Sequence, residues 1–314
     1  MILALAGGVG GAKLANGLAH ILPPDLLTVA VNTGDDFEHL GLHISPDLDT
    51  VMYTLAGLSN TETGWGRAGE SWRFMAALGA LGGETWFNLG DLDLATHVER
   101  TRRLAAGESL STVTAAFCAR LGVSAKIVPM SDHPVRTMVQ TADGWLPFQD
   151  YFVRLRCAPA VRGFRFDGVG RAVPSAGFLQ ALADPALAAI VICPSNPFVS
   201  VDPILSLAGV RDLLARRRVP LVAVSPIVGG KAIKGPALKM LQELELDASA
   251  LGVARLYAKL IDGFVIDRQD AALTPAIAAL GLGVLATDTI MTDPAAQSAL
   301  AASVLEFAQR LRRS

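Results

Sequence analysis

The chain has 314 residues, 51% hydrophobic and only 18% charged, which excludes a disordered or fibrous protein and implies an extensive core. Its 27 basic and 29 acidic residues give a formal charge of -2, so no basic field exists to recruit nucleic acid. Cys118, Cys157 and Cys193 lie far apart in no metal-like spacing, which suits a reducing, cytoplasmic setting and excludes a disulfide scaffold. The apolar N-terminus lacks a charged leader and is broken by glycines, so it reads as a buried strand and helix. No apolar run is long enough to span a bilayer.

In chain order, a strand is predicted over Ile2–Ala6, running into Gly7-Gly8-Val9-Gly10-Gly11-Ala12-Lys13 and a helix. A second strand, Leu27–Val31, ends in Asn32-Thr33-Gly34-Asp35-Asp36. Leu92–Leu121 reads as helix with a break near Gly107-Glu108-Ser109, and Lys126–Arg156 alternates like antiparallel strands with a turn at Asp143-Gly144. Ala189–Cys193 leads to Pro194-Ser195-Asn196-Pro197, Leu221–Val224 to Ser225-Pro226, Gly263–Ile266 to Asp267, and Val284–Ala286 to Thr287-Asp288-Thr289. Continuous apolar strands alternating with helices predict an α/β fold, a doubly wound, mostly parallel Rossmann-like sheet. The core is expected over 1–94 and 176–314, with 95–175 an inserted, smaller α+β cap region.

The strand ends carry the chemistry. Glycines after the first strand let backbone N–H groups at a helix start approach an anion, here through Gly8, Gly10, Gly11 and Lys13. The spacing matches neither the P-loop nor the dinucleotide pattern: Ala12 separates glycine from lysine, and Lys13 stands where a third glycine belongs. A tight turn without a ligand is the alternative. Asn32-Thr33-Gly34, Ser195-Asn196 and the Gly229-Gly230-Lys231-Ala232-Ile233-Lys234-Gly235 loop follow other strands, and in an open parallel sheet such ends converge on one crevice. Two glycine–lysine loops suit a diphosphate.

Extended backbone through Pro46-Asp47-Leu48-Asp49-Thr50 is expected to put both carboxylates on one side, able to hold Mg²⁺ against phosphate. Gly90-Asp91-Leu92-Asp93 repeats the arrangement, and helix capping is the competing role for each pair. His97 and His133 fit structural and catalytic roles about equally. The absence of a Ser-His-Asp order argues against a covalent nucleophile.

Long segments resemble one family: ALAGGVGGAKLANGL, VNTGDDFEHLGLHISPDLDTVMYTLAG, WFNLGDLDLATHVERTRRL, PMSDHPVRTMVQT, FQDYFVR, PSNPFVSVDPIL, VAVSPIVGGKAIKGPALKM and DGFVIDRQDA. Together they make the chain similar, over nearly its whole length, to the 2-phospho-L-lactate transferases (CofD family) of coenzyme F-420 biosynthesis. The resemblance implies an Mg²⁺-dependent, dimeric enzyme that joins a guanosine diphospho-lactate or diphospho-enolpyruvate donor to the deazaflavin Fo, releasing GMP. By resemblance, Asp49 and Asn88 contact Fo and Asp47 takes the catalytic or metal position. The Gly8–Lys13 loop, Asn32-Thr33-Gly34, Ser195-Asn196 and Gly229-Gly230-Lys231 hold the nucleotide. Trp86, Asp91 and His97 are further acceptor-side candidates, with Trp86 and Phe87 bordering the flat ring. Two positions depart from the family pattern: His133 replaces an Asp, and Glu70-Ser71 replaces Asp-Thr. A non-catalytic nucleotide-sugar-binding regulator with a similar core is the rival reading. A dehydrogenase is a third, weakened by the missing glycine.

Overall fold

The computed structural model describes residues 1–60, 62, 64–233 and 235–313. Seven strands build the central sheet: β1 (Ile2–Ala6), β2 (Leu27–Val31), β3 (Lys126–Pro129), β4 (Ala189–Ile192), β5 (Leu221–Val224), β6 (Gly263–Asp267) and β7 (Gly283–Thr287). Every pairing among them is parallel, in the order β3-β2-β1-β4-β5-β6-β7. This is a doubly wound, Rossmann-like sheet, and its winding direction reverses between β1 and β4.

The apolar runs are continuous because both faces are covered. Along β1, Leu3 and Leu5 point into one core while Ile2, Ala4 and Ala6 point into the other. The second core is closed by helices α1 (Gly8–Ile21), α2 (Pro46–Leu55) and α4 (Pro294–Arg313), the last so numbered after α3 (Asp91–Ala105). At Gly17 a side chain would strike the backbone of Gln297, so α1 and α4 touch at a glycine, and Asn16 Nδ2 donates to Gln297 Oε1 beside it.

The helical stretch after residue 91 does break at Gly107, giving α3 and a second helix over Leu110–Arg120. The expected run of antiparallel strands needs correction. Lys126–Pro129 is the parallel edge strand of the main sheet, so the expected 95–175 insertion contains a core strand. Its short apolar run has no partner alternation to reveal whether it pairs locally or far away. Within the expected cap region, Arg136–Thr141, Gly144–Pro147 and Gly163–Asp167 form a separate antiparallel sheet, lying over its own small core of Val139, Phe148, Tyr151 and Val199.

Candidate active site

At the switch point the adjacent ends of β1 and β4 open onto a cavity of about 680 Å³, a size suited to small-molecule ligands. Gly7 caps α1, and Gly8 takes a φ of +64°, which glycine adopts without strain. Ser195 secures this turn from the neighbouring strand: its Oγ donates to the Gly7 carbonyl (2.9 Å) and accepts from the Gly7 N–H (3.3 Å). Gly10 packs so closely on the Pro194 carbonyl that no side chain fits there. A helix start favours an anion, and Gly8, Val9 and Gly10 of the first turn of α1 line the cavity. Lys13, half-buried on α1, lines it as well and donates to the Met291 carbonyl at 2.8 Å.

Asp47 sits over this turn. It belongs to the first turn of α2, which starts at Pro46, and its carboxylate accepts from Asn32 Nδ2 (2.9 Å) and from the Gly8 N–H. Burial pushes its carboxyl up to about 6, against those two hydrogen bonds, and the Asp36 charge adds to the rise. Asp35 is also buried and lines the cavity; burial and the Asp47 charge hold its carboxyl well above the usual range, and its Oδ1 has no hydrogen-bond partner among the described residues.

A second buried cluster joins α2 to α3. The Arg100 guanidinium grips both oxygens of Asp49, with Nη1 to Oδ2 at 3.1 Å and Nη2 on Oδ1. Arg100 Nη1 lies 3.3 Å from His97 Nδ1, and His97 Nε2 lies 3.4 Å from Asp93 Oδ2. Tyr53 donates to Asp93 Oδ1 at 2.7 Å. Burial raises Asp49 despite Arg100 and His97. Burial also opposes ionisation of Asp93, yet the His97 and Tyr53 hydrogen bonds and the Arg100 charge hold its carboxyl below the usual range. Asp49, Asp93 and His97 all reach the cavity, whose remaining wall is aromatic and apolar through Ile44, Trp65, Phe87, Phe148 and Phe152, with Asn88 among them.

Residues 2–289 match the family model described as 2-phospho-L-lactate transferase CofD. The chain belongs to that family. A phosphoenolpyruvate transferase of Streptomyces griseus is 42% identical, covering 99% of each chain. A 2-phospho-L-lactate transferase of Methanospirillum hungatei is 38% identical, covering 97% of this chain and 99% of its own, and one of Methanosarcina mazei is 39% identical with the same coverage. A crystal structure of a Bacillus halodurans protein shares the fold, with a TM-score of 0.63 at 16% identity over 97% of this chain and 98% of that one. Membership in the CofD family makes the chain a transferase of coenzyme F-420 biosynthesis, the reaction class expected from the sequence.

Within this CofD-family site the predicted residues divide. Gly8, Gly10, Lys13, Ser195, Asn196 and Asp47 line the cavity at the glycine turn, and Asp49, Asn88 and His97 line it as well. Others stand behind it. Gly11 packs on Ser195; Asn32 is fully buried, holding Asp47, the Val199 carbonyl and the Gly34 N–H, with Thr33 and Gly34 buried beside it. Trp86 packs edge-on to His39 and under the Arg154 guanidinium, so Phe87 rather than Trp86 faces the cavity. Asp91 binds Ser71 Oγ and the Phe74 N–H, which makes it a cap for the helix over Arg73–Ala80. Gly229, Gly230 and Lys231 form the exposed tip of a hairpin, with Gly229 N–H bound by Asp270; the following Ile233, Gly235 and Pro236 reach the cavity. Lys234 lies outside the described residues.

The expected extended Asp47–Asp49 segment is helical, which corrects the picture of two carboxylates on one side. Residues two apart on a helix diverge by roughly 200°, so Asp47 faces the glycine turn while Asp49 faces Arg100. Of the two departures from the family pattern, Glu70 has a side-chain role and nothing in the structure explains the His133 side chain; among the described residues its backbone alone is bonded. Glu70 accepts from the Leu92 and Asp93 N–H groups at the start of α3, and the His133 N–H donates to Ser131 Oγ. Sequence reasoning missed Arg100, Asp35 and Tyr53, and left Asp93 between capping and catalysis. The signal for Arg100 was present: Asp93, His97 and Arg100 are spaced to share one helix face.

Proposed function

We propose that the chain transfers a phospholactyl or phosphoenolpyruvyl group from a guanosine diphospho-donor to the terminal ribityl hydroxyl of Fo, releasing GMP, in the cytoplasm. One observation carries the reading. A single cavity joins an anion-directed glycine turn, capped by Asp47, to an aromatic wall bearing Asn88 and Asp49. The relatives' names support both donor types, since they include phosphoenolpyruvate and 2-phospho-L-lactate transferases.

In this reading the α1 amides and Lys13 bind the diphosphate, with Ser195 keeping the turn in place. The flat ring lies against Phe87, Phe148 and Trp65, and Asn88 and Asp49 meet the ribityl chain. The hydroxyl oxygen bonds to the phosphorus carrying the lactyl or enolpyruvyl group. The bond from that phosphorus to the GMP oxygen breaks, and Asp49 takes the hydroxyl proton. Its buried, upward-shifted carboxyl suits a base better than an exposed aspartate would. Positioning and charge neutralisation supply most of the acceleration in such transfers.

Mg²⁺ fits the residues at Asp47, with Asp35 beside it: two buried carboxylates repel each other there, and one Asp35 oxygen has no partner among the described residues. Bound there it would neutralise diphosphate charge. Asp49, Asp93 and His97 also bring ligand atoms within 4.8 Å of one another, but the Arg100 guanidinium on Asp49 competes with a cation there. The test is incubation of the purified protein with Fo, Mg²⁺ and each guanosine diphospho-donor, with products identified by mass. A phosphodiester-linked deazaflavin together with GMP is expected. Absence of any deazaflavin product from every donor overturns the reading.

A further inference from the structure

Arg100 is 2% exposed, yet it carries a full charge into the wall behind the cavity. Four elements hold its planar head. Asp49 of α2 takes both terminal nitrogens, the His43 carbonyl accepts from Nη1 at 3.4 Å, and His97 Nδ1 lies 3.3 Å from the same nitrogen. The Phe117 ring centroid lies 5.9 Å from the guanidinium carbon. Arg100 does not line the cavity; Asp49 does.

A buried ion pair is a weak source of stability, because desolvation of the two charges offsets most of their attraction. A two-point clamp is a strong source of geometry. A guanidinium fork that meets both oxygens fixes the plane of the carboxylate, which a point-like ammonium cannot do. Each oxygen keeps a second lone pair, and Asp49 lines the cavity, so the clamp fixes how the carboxylate is presented there.

We propose that Arg100 is a positioning residue for the acceptor half of the reaction, holding Asp49 by both oxygens so that its open edge meets the acceptor hydroxyl. This rests on the reading of Asp49 as the group that meets the acceptor. Arg100 acts only through Asp49, and that dependence separates the proposal from a general structural role. Removing the clamp harms acceptor turnover while leaving the glycine turn and donor site intact, and once Asp49 is gone the clamp has nothing left to hold.

The experiment compares Arg100→Lys, Arg100→Gln, Asp49→Asn and the double variants D49N/R100K and D49N/R100Q in steady state. Fo and donor are varied separately, and folding is checked by thermal melts. Arg100→Lys is expected to lower kcat/KM for Fo by roughly 100-fold, the scale of a misplacement near 1 Å, with donor KM within about twofold. In the Asp49→Asn background either Arg100 change is expected to add less than about threefold, the signature of residues acting as one unit. Where Arg100→Gln does not fold, Arg100→Lys keeps the buried charge and carries the same comparison. Equal losses in the wild-type and Asp49→Asn backgrounds would overturn the proposal, as would a rise in donor KM with Fo kinetics unchanged. An impaired Asp49→Asn beside a fully active Arg100→Lys defeats the Arg100 proposal alone, whereas full activity of Asp49→Asn defeats the Asp49 reading as well.

Discussion

Gly7→Ala gives a sharp test of the glycine turn. A Cβ there would lie 2.6 Å from Ser200 Cβ and 2.7 Å from Asp47 Oδ2, where ordinary contact begins near 3.4 Å. The Gly7 backbone cannot withdraw easily, because Ser195 Oγ holds both its N–H and its carbonyl. Ser200 and Asp47 must therefore yield by a little under 1 Å, and overpacking on this scale costs about 1–3 kcal/mol, or a fall in Tm of about 2–8 °C. The same displacement moves Asp47 off the turn, for which a loss in kcat/KM on the order of 100-fold is expected. Differential scanning fluorimetry and steady-state kinetics read the two effects separately. A second substitution divides them: in a Ser200→Gly background, adding Gly7→Ala should cost less stability than in wild type, because one of the two clashes is gone, yet activity should stay low because the clash with Asp47 remains. Wild-type Tm and activity for Gly7→Ala would refute the packing argument. Recovery of activity in the double variant would refute the role given to Asp47.

Asp47→Asn should be more stable than wild type at pH 7.5 while its turnover collapses. Burial holds the folded carboxyl at about 6 against 3.8 for the free group, so the Asp47 contribution to wild-type stability is greatest below about pH 4. It falls as pH rises through 6, by at most about 3 kcal/mol, and Asn removes that decline; lower stability of the variant across pH 5–8 would count against the assignment. Lys13→Ala should weaken donor binding by about tenfold, whereas Lys231→Ala, at an exposed hairpin tip, should change it less than about threefold; calorimetry giving the reverse order would return the second loop to the donor site. Asn32→Ala leaves the buried Gly34 N–H and Asp47 carboxylate without their partner, so urea denaturation should show a loss of about 2–4 kcal/mol. Unchanged stability there would mean that water replaces the amide.

Much of the scaffold was legible because it rests on local signals. Six of the seven sheet strands announced themselves as short apolar runs ending in polar turns, and their burial on both faces explains why the runs are continuous. The strand missed, Lys126–Pro129, has the same local character as a hairpin strand, and only its pairing with β2 tells the two apart. Among site residues, the glycine turn and Ser195-Asn196 were visible because they follow strands that a parallel sheet brings together.

The sequence by itself determined the parallel α/β architecture, the glycine turn at the first strand end and membership of the transferase family, since each is written in contiguous residues. Tertiary structure alone decided what each polar side chain does. Whether a carboxylate is a cap, a counter-ion or a base depends on the groups opposite it: Asp91 meets Ser71, Asp49 meets Arg100 from a different helix, and Asp47 meets Gly8 and Asn32 at the ends of β1 and β2. Electrostatic character is set by burial and distance in space, and these arise only when segments far apart in the chain are packed together.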